Sequence, residues 1–267
     1  ETIRREAARY GAQITHSELI GLIPQQALID AAAWYLQLDD FSEEQVLEQQ
    51  IQLKIAEQGT VSDAGFLDGL AAGTATPGGG SAAAYSGAMA ASLTAMVARI
   101  TIGKKKYIEV EDQMKAVVEQ AEQLKTELNA AVAQDSAAFE KVMAAYGLPK
   151  VTDAEKAARS EAIQAATMGA AEVPLTVVEK LVKVLGLTQQ AAEAGNLNAI
   201  TDAGSAAALA QAGVTGASLN VRINLGSIKD QKAVKKLTAR LADLNQQAER
   251  YLAAIRTAVE ERGEITY

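Results

Sequence analysis

Apolar residues recur at helical spacing along most of the chain. From about residue 62 onward they return every three or four positions, which places them on one face of an α-helix. The pattern predicts a mainly α-helical protein with helices at about 62–72, 80–101, 110–146, 153–184, 188–194, 201–212, 215–225 and 230–262.

The residues at the predicted helix ends support these boundaries. Thr152 and Glu155 have the spacing of a capping box, in which each side chain bonds to the backbone of the other residue. Pro174 lies inside a helical pattern and is expected to kink its helix. Glycines stand where three helices are expected to end, because glycine readily adopts the conformation that terminates a helix: Gly103, Gly147 and Gly186.

The first fifty residues follow a different pattern. Residues 2–10 and 25–37 predict short helices, whereas residues 12–23 predict an extended strand between them. A strand between two helices is typical of α/β folds. We therefore expect a short α/β fragment over residues 1–55, followed by a separate all-helical bundle over residues 62–262.

Alanine and other small residues dominate the hydrophobic positions. Hydrophobic residues make up 49% of the 267 residues and aromatic residues only 4%, so the core must come from helices that approach one another closely. Small residues stand at four-residue steps in the helix at 80–101, which suits the centre of a bundle or a subunit contact: Ala83, Gly87, Ala91 and Ala95.

Charge and residue counts argue against several classes of function. The net charge is −8, whereas a general nucleic-acid binder would present a basic face. The sequence has no cysteine and a single histidine, His16, so we expect no thiolate site, no metal and no Ser–His catalysis. Residues 81–98 carry no charge but are too rich in alanine and glycine to span a membrane. With no secretory signal pattern, the protein is expected to be cytoplasmic.

A run of three glycines precedes the small-residue helix. The segment reads Thr76, Pro77, Gly78, Gly79, Gly80, Ser81. Backbone N–H groups at a glycine-rich helix start are unshielded and lie at the positive end of the helix dipole, so they can receive an anion or a flat polar ligand. The alternative is a structural entry loop with no ligand. The segment lacks the Lys-Ser/Thr ending of a nucleotide-binding P-loop.

Asp135 lies on the apolar face of the helix at 110–146. A carboxylate on a buried face is costly unless it is paired or protonated, and burial raises its pKa toward the range useful for proton transfer. The alternative is a hydrogen bond that only fixes helix packing. The apolar positions of this face are Met114, Val117, Ala121, Leu124, Leu128, Val132, Phe139 and Val142.

Three further polar groups have both structural and functional interpretations. Asn196 and Asp202 belong to a polar loop between helices, where Asp202 is also suited to the first turn of the next helix. Asn220 and Asn224 share a helix face, where they either join helices or bind a heteroaromatic ring. The three lysines at 104–106 either complement a helix dipole or hold a polyanionic tail.

In their order and spacing, these segments resemble the cyclodeaminase domain shared with methenyltetrahydrofolate cyclohydrolases of the serine-cycle type. The resemblance covers about residues 62–262 and rests on Phe66–Asp68, Thr76–Ser81, Thr101–Tyr107, Asp135–Phe139, Val173–Leu175, Gly195–Leu197 with Asp202, and Asn220–Leu225. Residues 17–24 and 27–32 resemble the end of a glutamate formiminotransferase. The whole chain is similar to the second half of a bifunctional formiminotransferase-cyclodeaminase.

The resemblance implies an all-helical domain that forms a homodimer or a larger homo-oligomer, with folate sites near the subunit contact. The substrate would be 5-formiminotetrahydrofolate, with or without a polyglutamate tail, and the products 5,10-methenyltetrahydrofolate and ammonia. No metal or prosthetic group is required. A formiminotransferase domain is an expected partner, but the transferase segment in this chain is expected to be inactive by itself.

The family's proposed catalytic aspartate lies in an Asp-x-x-Ala-Phe motif and corresponds to Asp135, with Asp202 as a second carboxylate. The lysines are expected to hold the polyglutamate tail, and the asparagines to bind the pterin or pack the site. The candidate substrate-binding residues are Thr76, Pro77, Gly78, Gly79, Gly80, Ser81, Lys104, Lys105, Lys106, Asn196, Asn220 and Asn224.

Two alternatives to the cyclodeaminase activity remain open from the sequence. The first is methenyltetrahydrofolate cyclohydrolase activity, in which water attacks at the same site and gives the 10-formyl product. The second is a non-catalytic helical module that assembles a transferase into oligomers. The transferase segment favours the cyclodeaminase, because such a fusion delivers the formimino substrate directly.

Overall fold

The computed structural model describes residues 2–16, 18, 20–21, 25–38, 41, 45–47 and 63–266. Contacts between Cα atoms divide the chain into two compact units, Glu1–Gln58 and Gly59–Tyr267. The first unit contains helix α1 (Thr2–Arg9) and helix α2 (Gln25–Leu36).

The strand predicted over residues 12–23 is not formed at its described positions, which are 12–16, 18, 20 and 21. A β-strand is stabilised by hydrogen bonds to a neighbouring strand. The described part of the chain offers no such neighbour.

The second unit is a bundle of long helices, which confirms the mainly α-helical prediction. Short 3₁₀ segments at Lys105–Val110 and Leu197–Ala199 connect some of them. No helix in the described ranges is long and apolar enough to cross a membrane. The helices are α3 (Asp63–Ala71), α4 (Gly79–Arg99), α5 (Glu111–Tyr146), α6 (Asp153–Ala194), α7 (Ile200–Leu225) and α8 (Gln231–Gly263).

Two predicted helix breaks are wrong. Helix α6 continues through Gly186, and α7 continues through Gly213. A Cβ atom at Gly186 would lie 3.4 Å from the ring of Tyr251, and one at Gly213 would lie 2.9 Å from the carbonyl oxygen of Ala83. Gly213 therefore permits close packing inside a helix, whereas at Gly186 the helix continues beside an ordinary contact with Tyr251.

Two other predicted helix ends are confirmed. The Thr152 side chain and the Glu155 side chain form a reciprocal capping box at the start of α6. Helix α5 ends at Gly147, whose N–H bonds to preceding carbonyl groups. Both ends of the loop between α5 and α6 are thereby fixed.

Helix α4 lies at the centre of the bundle, against α5, α6 and α7. Its side chains are small, so neighbouring side chains reach its backbone. A Cβ atom at Gly87 would lie 2.7 Å from Leu181 of α6. The buried hydroxyl groups of Thr94 and Thr188 also bond across these two helices at 2.7 Å. These contacts fix the position of α4 in the bundle.

Helix α7 runs antiparallel to α4. The Ser86 hydroxyl donates to the Leu209 carbonyl at 2.7 Å, and Gly213 faces Ala83 one turn earlier in α4. Consequently the glycine-rich start of α4 lies beside the end of α7, and the end of α4 lies near the start of α7.

Candidate active site

Asp135 of α5 contacts the first turn of α4. Its Oδ2 atom lies 3.0 Å from Ser81 Oγ, and the same hydroxyl lies 3.1 Å from the Val132 carbonyl oxygen. The Ser136 hydroxyl is 3.3 Å from Ser81 Oγ. Ser81 is fully buried, whereas Asp135 is half-buried. The carboxylate therefore has a protein-bound side and an open side.

Asp135 lies where the apolar face of α5 leaves the core. Val132, one turn earlier, is buried, whereas Phe139, one turn later, is 40% exposed. The predicted location on the apolar face is therefore right, but the face is buried only up to this point. The position combines partial desolvation with access for a small molecule.

Asp135 also caps helix α4. The N-cap residue Gly78 has no side chain to bond the free N–H groups of the first turn. The carboxylate of Asp135 instead accepts the backbone N–H of Ser81 in addition to its hydroxyl. A residue distant in sequence thus supplies the cap that the glycines cannot.

Burial is the largest influence on Asp135 and raises the pKa of its carboxyl group. The hydroxyl and backbone N–H of Ser81 act in the opposite direction, because they stabilise the ionised form. The net result is a pKa above the ordinary value for aspartate. A raised carboxyl pKa suits a group that must both accept and return a proton near neutral pH.

Gly80 makes this contact sterically possible. A Cβ atom at Gly80 would lie 2.2 Å from Oδ1 of Asp135 and 2.6 Å from its Cγ. These separations are far inside van der Waals contact. Only glycine leaves room for the carboxylate at this distance.

Asn220 of α7 lies on the other side of the same turn. A Cβ atom at Gly79 would be 3.6 Å from Asn220 Nδ2, which donates to the Gly216 carbonyl at 2.9 Å. Since adjacent Cα atoms are about 3.8 Å apart, Asp135 and Asn220 flank a single turn of backbone. Asn220 keeps its carbonyl oxygen as an acceptor.

Asn224 has a structural role that its spacing from Asn220 does not reveal. Its Nδ2 atom donates to the Ala170 carbonyl of α6 at 2.8 Å. In a regular helix that carbonyl would bond to the N–H of residue 174, but Pro174 has none. Asn224 therefore replaces the missing donor and ties the end of α7 to α6.

Replacing Asn224 with leucine is expected to lower the free energy of unfolding by about 1–3 kcal/mol, because the Ala170 carbonyl loses its donor. The loss should be clearly smaller in a Pro174→Ala background, where a backbone N–H is restored. Denaturant unfolding of the four proteins in this cycle measures both effects. Equal losses in the two backgrounds would contradict this role for Asn224.

The remaining candidates lie at the other end of α4. The backbone N–H of Asn196 donates to Thr101 Oγ1 at 2.8 Å, and its side chain donates to the Ile100 carbonyl at 3.1 Å. Asn196 therefore supplies hydrogen-bond donors to acceptors just beyond the end of α4. The Lys106 ammonium lies 5.5 Å from the ring centre of Tyr107.

The predicted site residues thus fall into two groups, which we call the glycine end and the lysine end. Helix α4 has 21 residues, so at 1.5 Å per residue its ends are about 30 Å apart. Asp202 lies in the first turn of α7, at the lysine end. The glycine end comprises Thr76, Pro77, Gly78, Gly79, Gly80, Ser81, Asp135, Asn220 and Asn224, and the lysine end comprises Lys104, Lys105, Lys106, Asn196 and Asp202.

Sequence reasoning missed the contribution of Ser136 and of the Ala170 carbonyl. Ser136 follows Asp135 directly, and no periodicity distinguishes it from an exposed serine. The Ala170 carbonyl could have been found, because a proline inside a helix leaves the carbonyl four residues earlier without its donor.

Comparison with known proteins agrees with this arrangement of motifs. A family model described as Formiminotransferase-cyclodeaminase matches residues 62–243. A second model, described as Formiminotransferase domain, matches residues 1–67. The two models together cover both parts of the chain that the sequence distinguishes.

Individual relatives carry two kinds of name. A methenyltetrahydrofolate cyclohydrolase from Methylorubrum extorquens is 47% identical over 198 residues, which cover 73% of this chain and 95% of that protein. A formimidoyltransferase-cyclodeaminase from Mus musculus is 31% identical over 291 residues, covering 99% of this chain. The chain spans 54% of the length of the mouse protein.

A solved structure shares the fold. The crystal structure of a formiminotetrahydrofolate cyclodeaminase from Thermotoga maritima aligns with a TM-score of 0.69 at 33% identity. The alignment covers 75% of this chain and 96% of that one. The family model matches more than half of the chain, and the predicted resemblance is confirmed: the chain belongs to the formiminotransferase-cyclodeaminase family.

Proposed function

We propose that this protein is a formimidoyltetrahydrofolate cyclodeaminase. It converts 5-formiminotetrahydrofolate to 5,10-methenyltetrahydrofolate and releases ammonia, and is thus an ammonia-lyase acting on a folate one-carbon unit. The observation that carries the proposal is the half-buried carboxylate of Asp135, with its raised pKa, against the glycine-rich start of α4. Membership of the family and the transferase-like first segment support the same activity.

The reaction needs one proton acceptor and one proton donor. N10 of the substrate attacks the carbon of the protonated formimino group (N5–CH=NH2⁺). The π electrons of that C=N bond move to its nitrogen and N10 loses its proton, which gives a neutral five-membered ring bearing an amino group. That amino group then takes a proton and leaves as ammonia, and the 5,10-methenyl cation remains. Asp135 is suited to accept the first proton and return it to the leaving amine, because a carboxyl group with a raised pKa exchanges protons readily.

Charge also favours the product at this position. The methenyl product is a cation, and an ionised carboxylate stabilises positive charge that develops next to it. The hydrogen bonds from Ser81 hold the carboxylate in one orientation, so little reorganisation is needed during the reaction. These steps use acid–base chemistry alone, and the proposal includes no prosthetic group.

The glycine turn and Asn220 supply polar groups for the substrate ring. Gly79 is exposed, and its backbone lies between Asp135 and Asn220. Backbone N–H groups at a helix start and a side-chain amide together offer donors and an acceptor to a pterin. We therefore place the pterin at the glycine end.

Methenyltetrahydrofolate cyclohydrolase activity is the second candidate. It is favoured by the 47% identity to a protein of that name over 95% of its length. The same carboxylate could remove a proton from water as the water attacks the methenyl carbon. This reaction consumes the compound that the cyclodeaminase produces, so one site can support both.

We propose a homodimer as the working form, in the cytoplasm and together with a formiminotransferase domain. The surface of α4 between α5 and α7 supports this, because it carries the exposed Met89 beside Tyr85 and Leu93 in an apolar hollow of about 710 Å³. Such a surface suits a two-fold contact with a second copy. Asp202 and the lysines lie far from the glycine end of their own protomer. In a dimer they could act only at the glycine end of the partner subunit.

Assays of both substrates side by side test the proposal. Purified protein is expected to release ammonia from 5-formiminotetrahydrofolate and to form the methenyl chromophore at the same rate. Hydrolysis of methenyltetrahydrofolate without ammonia release would instead establish the cyclohydrolase. Failure to bind any reduced folate would favour a non-catalytic module and reject both activities.

A further inference from the structure

The position of the lysines poses a question about the anionic part of the proposed substrate. A folate carries a benzoyl ring and a glutamate with free carboxylates beyond the pterin. If the pterin lies at the glycine end, the lysines of the same protomer are about 30 Å away along α4. A folate with one glutamate cannot span that distance, so within one protomer its carboxylates would have to meet a different cation.

Helix α7 places a cation next to Asn220. Arg222 is exposed, and it shares a shallow hollow of about 480 Å³ with Leu219, Asn220 and Ile223. A Cβ atom at Gly79 would lie 3.6 Å from Asn220 Nδ2, so one residue that lines this hollow also borders the glycine turn. The cation therefore lies on the helix that also carries a proposed pterin contact.

Arg222 has no protein partner in the described part of the chain, where its guanidinium forms neither a hydrogen bond nor an ion pair. Several other arginines of the bundle are paired, although Arg250 of α8 has no partner among the described residues. Arg99 bonds to Glu122 at 2.8 Å, and Arg240 bonds to Glu179 at 3.1 Å. The five N–H donors of Arg222 are thus available to an external acceptor.

Two aliphatic side chains lie between Asn220 and Arg222 on the surface of α7. Leu219 is 58% exposed and Ile223 is 73% exposed, although α7 is otherwise mostly buried on its bundle side. They are four residues apart and therefore neighbours on the helix surface. The helix surface thus presents first the amide of Asn220, then the two apolar side chains, then the guanidinium of Arg222. This order matches a ligand that has a polar ring, an apolar ring and a carboxylate.

We infer that Arg222 binds the glutamate carboxylate of the folate substrate, and that Leu219 and Ile223 support its benzoyl ring. This assignment rests on the proposed function and adds a binding residue to it. Arginine suits the role because its planar fork can pair with both oxygens of a carboxylate. The contact lies far from the proton transfer at Asp135, so Arg222 positions the substrate and takes no part in the chemistry.

The test compares two ligands that differ only in the glutamate: tetrahydrofolate and tetrahydropteroate, which lacks it. Wild-type protein should bind tetrahydrofolate roughly ten-fold more tightly, as expected for a solvent-accessible charged pair. The Arg222→Gln variant should bind both ligands equally, at the affinity of wild-type protein for tetrahydropteroate. Titration calorimetry measures the four affinities, and steady-state assays should show the change in KM and not in kcat.

Arg250→Gln is the matched control. Arg250 is an exposed arginine on α8 next to Tyr251, which contacts Gly186 of α6. This variant removes the same charge and should keep the ten-fold preference for tetrahydrofolate. Loss of the preference in both variants would indicate a general effect of net charge and overturn the assignment.

One further result would overturn the assignment and leave the proposed function intact: a preference that persists in Arg222→Gln. If that preference then disappears when Lys104, Lys105 and Lys106 are all replaced with glutamine, the carboxylate is located at the lysine end of a partner subunit. Wild-type protein that binds neither ligand would reject the proposed function and this inference together.

Discussion

Asp135→Asn is expected to lower the rate of ammonia release by roughly 10²- to 10⁴-fold, the usual contribution of a positioned acid–base group. The amide can still accept the backbone N–H of Ser81, so the cap of α4 is retained. The variant should therefore fold and bind folate while turning over slowly. Stopped-flow detection of the methenyl chromophore measures the rate.

Asp112→Asn is the matched control for this variant. Asp112 lies in the first turn of the same helix, and its side chain is 99% exposed. Its ion pair with Lys115 is at the surface and contributes little to stability. The control should retain wild-type activity. Unchanged ammonia release in Asp135→Asn would show that another group moves the protons.

The pH dependence of wild-type protein should report the same group. As the proposed base, Asp135 must be ionised to act, and burial raises its pKa, so the acid limb of the kcat/KM profile is expected above 3.8, the ordinary value. The effect of pH on the free energy of unfolding has the opposite sign to that of an ion-paired aspartate, whose pKa is lowered on folding. The folded-state pKa exceeds the unfolded one, so this contribution is full below 3.8 and is lost as pH rises through the folded-state pKa. Asp135→Asn should abolish this component.

Gly80→Ala is expected to disrupt the close contact between the first turn of α4 and the Asp135 carboxylate of α5. The added methyl group would lie 2.2 Å from Oδ1 of Asp135, so the carboxylate or the helix start must move. A displacement of about 1 Å at a reacting group can cost 10²-fold in rate, and overpacking of this kind costs about 1–3 kcal/mol of stability. Activity assays and denaturant unfolding measure the two effects.

Gly169→Ala provides the comparison. Gly169 lies inside α6, and a Cβ atom there would meet no atom within 4 Å. Because alanine favours a helix interior by about 0.5–1 kcal/mol over glycine, this variant should be slightly more stable than wild type and fully active. A Gly80→Ala protein with normal rate and stability would disprove the steric requirement at Gly80.

The hydrophobic pattern predicts the helices well because each buried face repeats locally. The end of α5 and the start of α6 also follow from local rules, because Gly147 and the Thr152 capping box act within a few residues. The same local rules fail at Gly186 and Gly213. Helix α6 continues through Gly186, and at Gly213 the requirement for glycine comes from the Ala83 carbonyl on another helix, which no window of sequence contains.

The candidate site could be predicted only in part for a similar reason. Periodicity places Asp135 at the edge of the core, but it does not show that the carboxylate caps a helix that begins 56 residues earlier. The ordered motifs bring the glycine turn and Asp135 into one prediction. They also include the lysines, which the length of α4 separates from its start, and Asp202, which the antiparallel arrangement of α4 and α7 places at the lysine end.

The absence of bulk on α4 has a consequence for how this protein can change over time. Neighbouring side chains lie against its backbone at Gly87, and its own carbonyl at Ala83 lies against Gly213. An added carbon at Gly87 would meet Leu181 and Leu128, so the packing around the helix that presents Ser81 to Asp135 would have to shift. The buried face of the central helix should therefore accumulate fewer tolerated replacements during evolution than the solvent-facing side of α8, although it supplies no ionisable group to the chemistry.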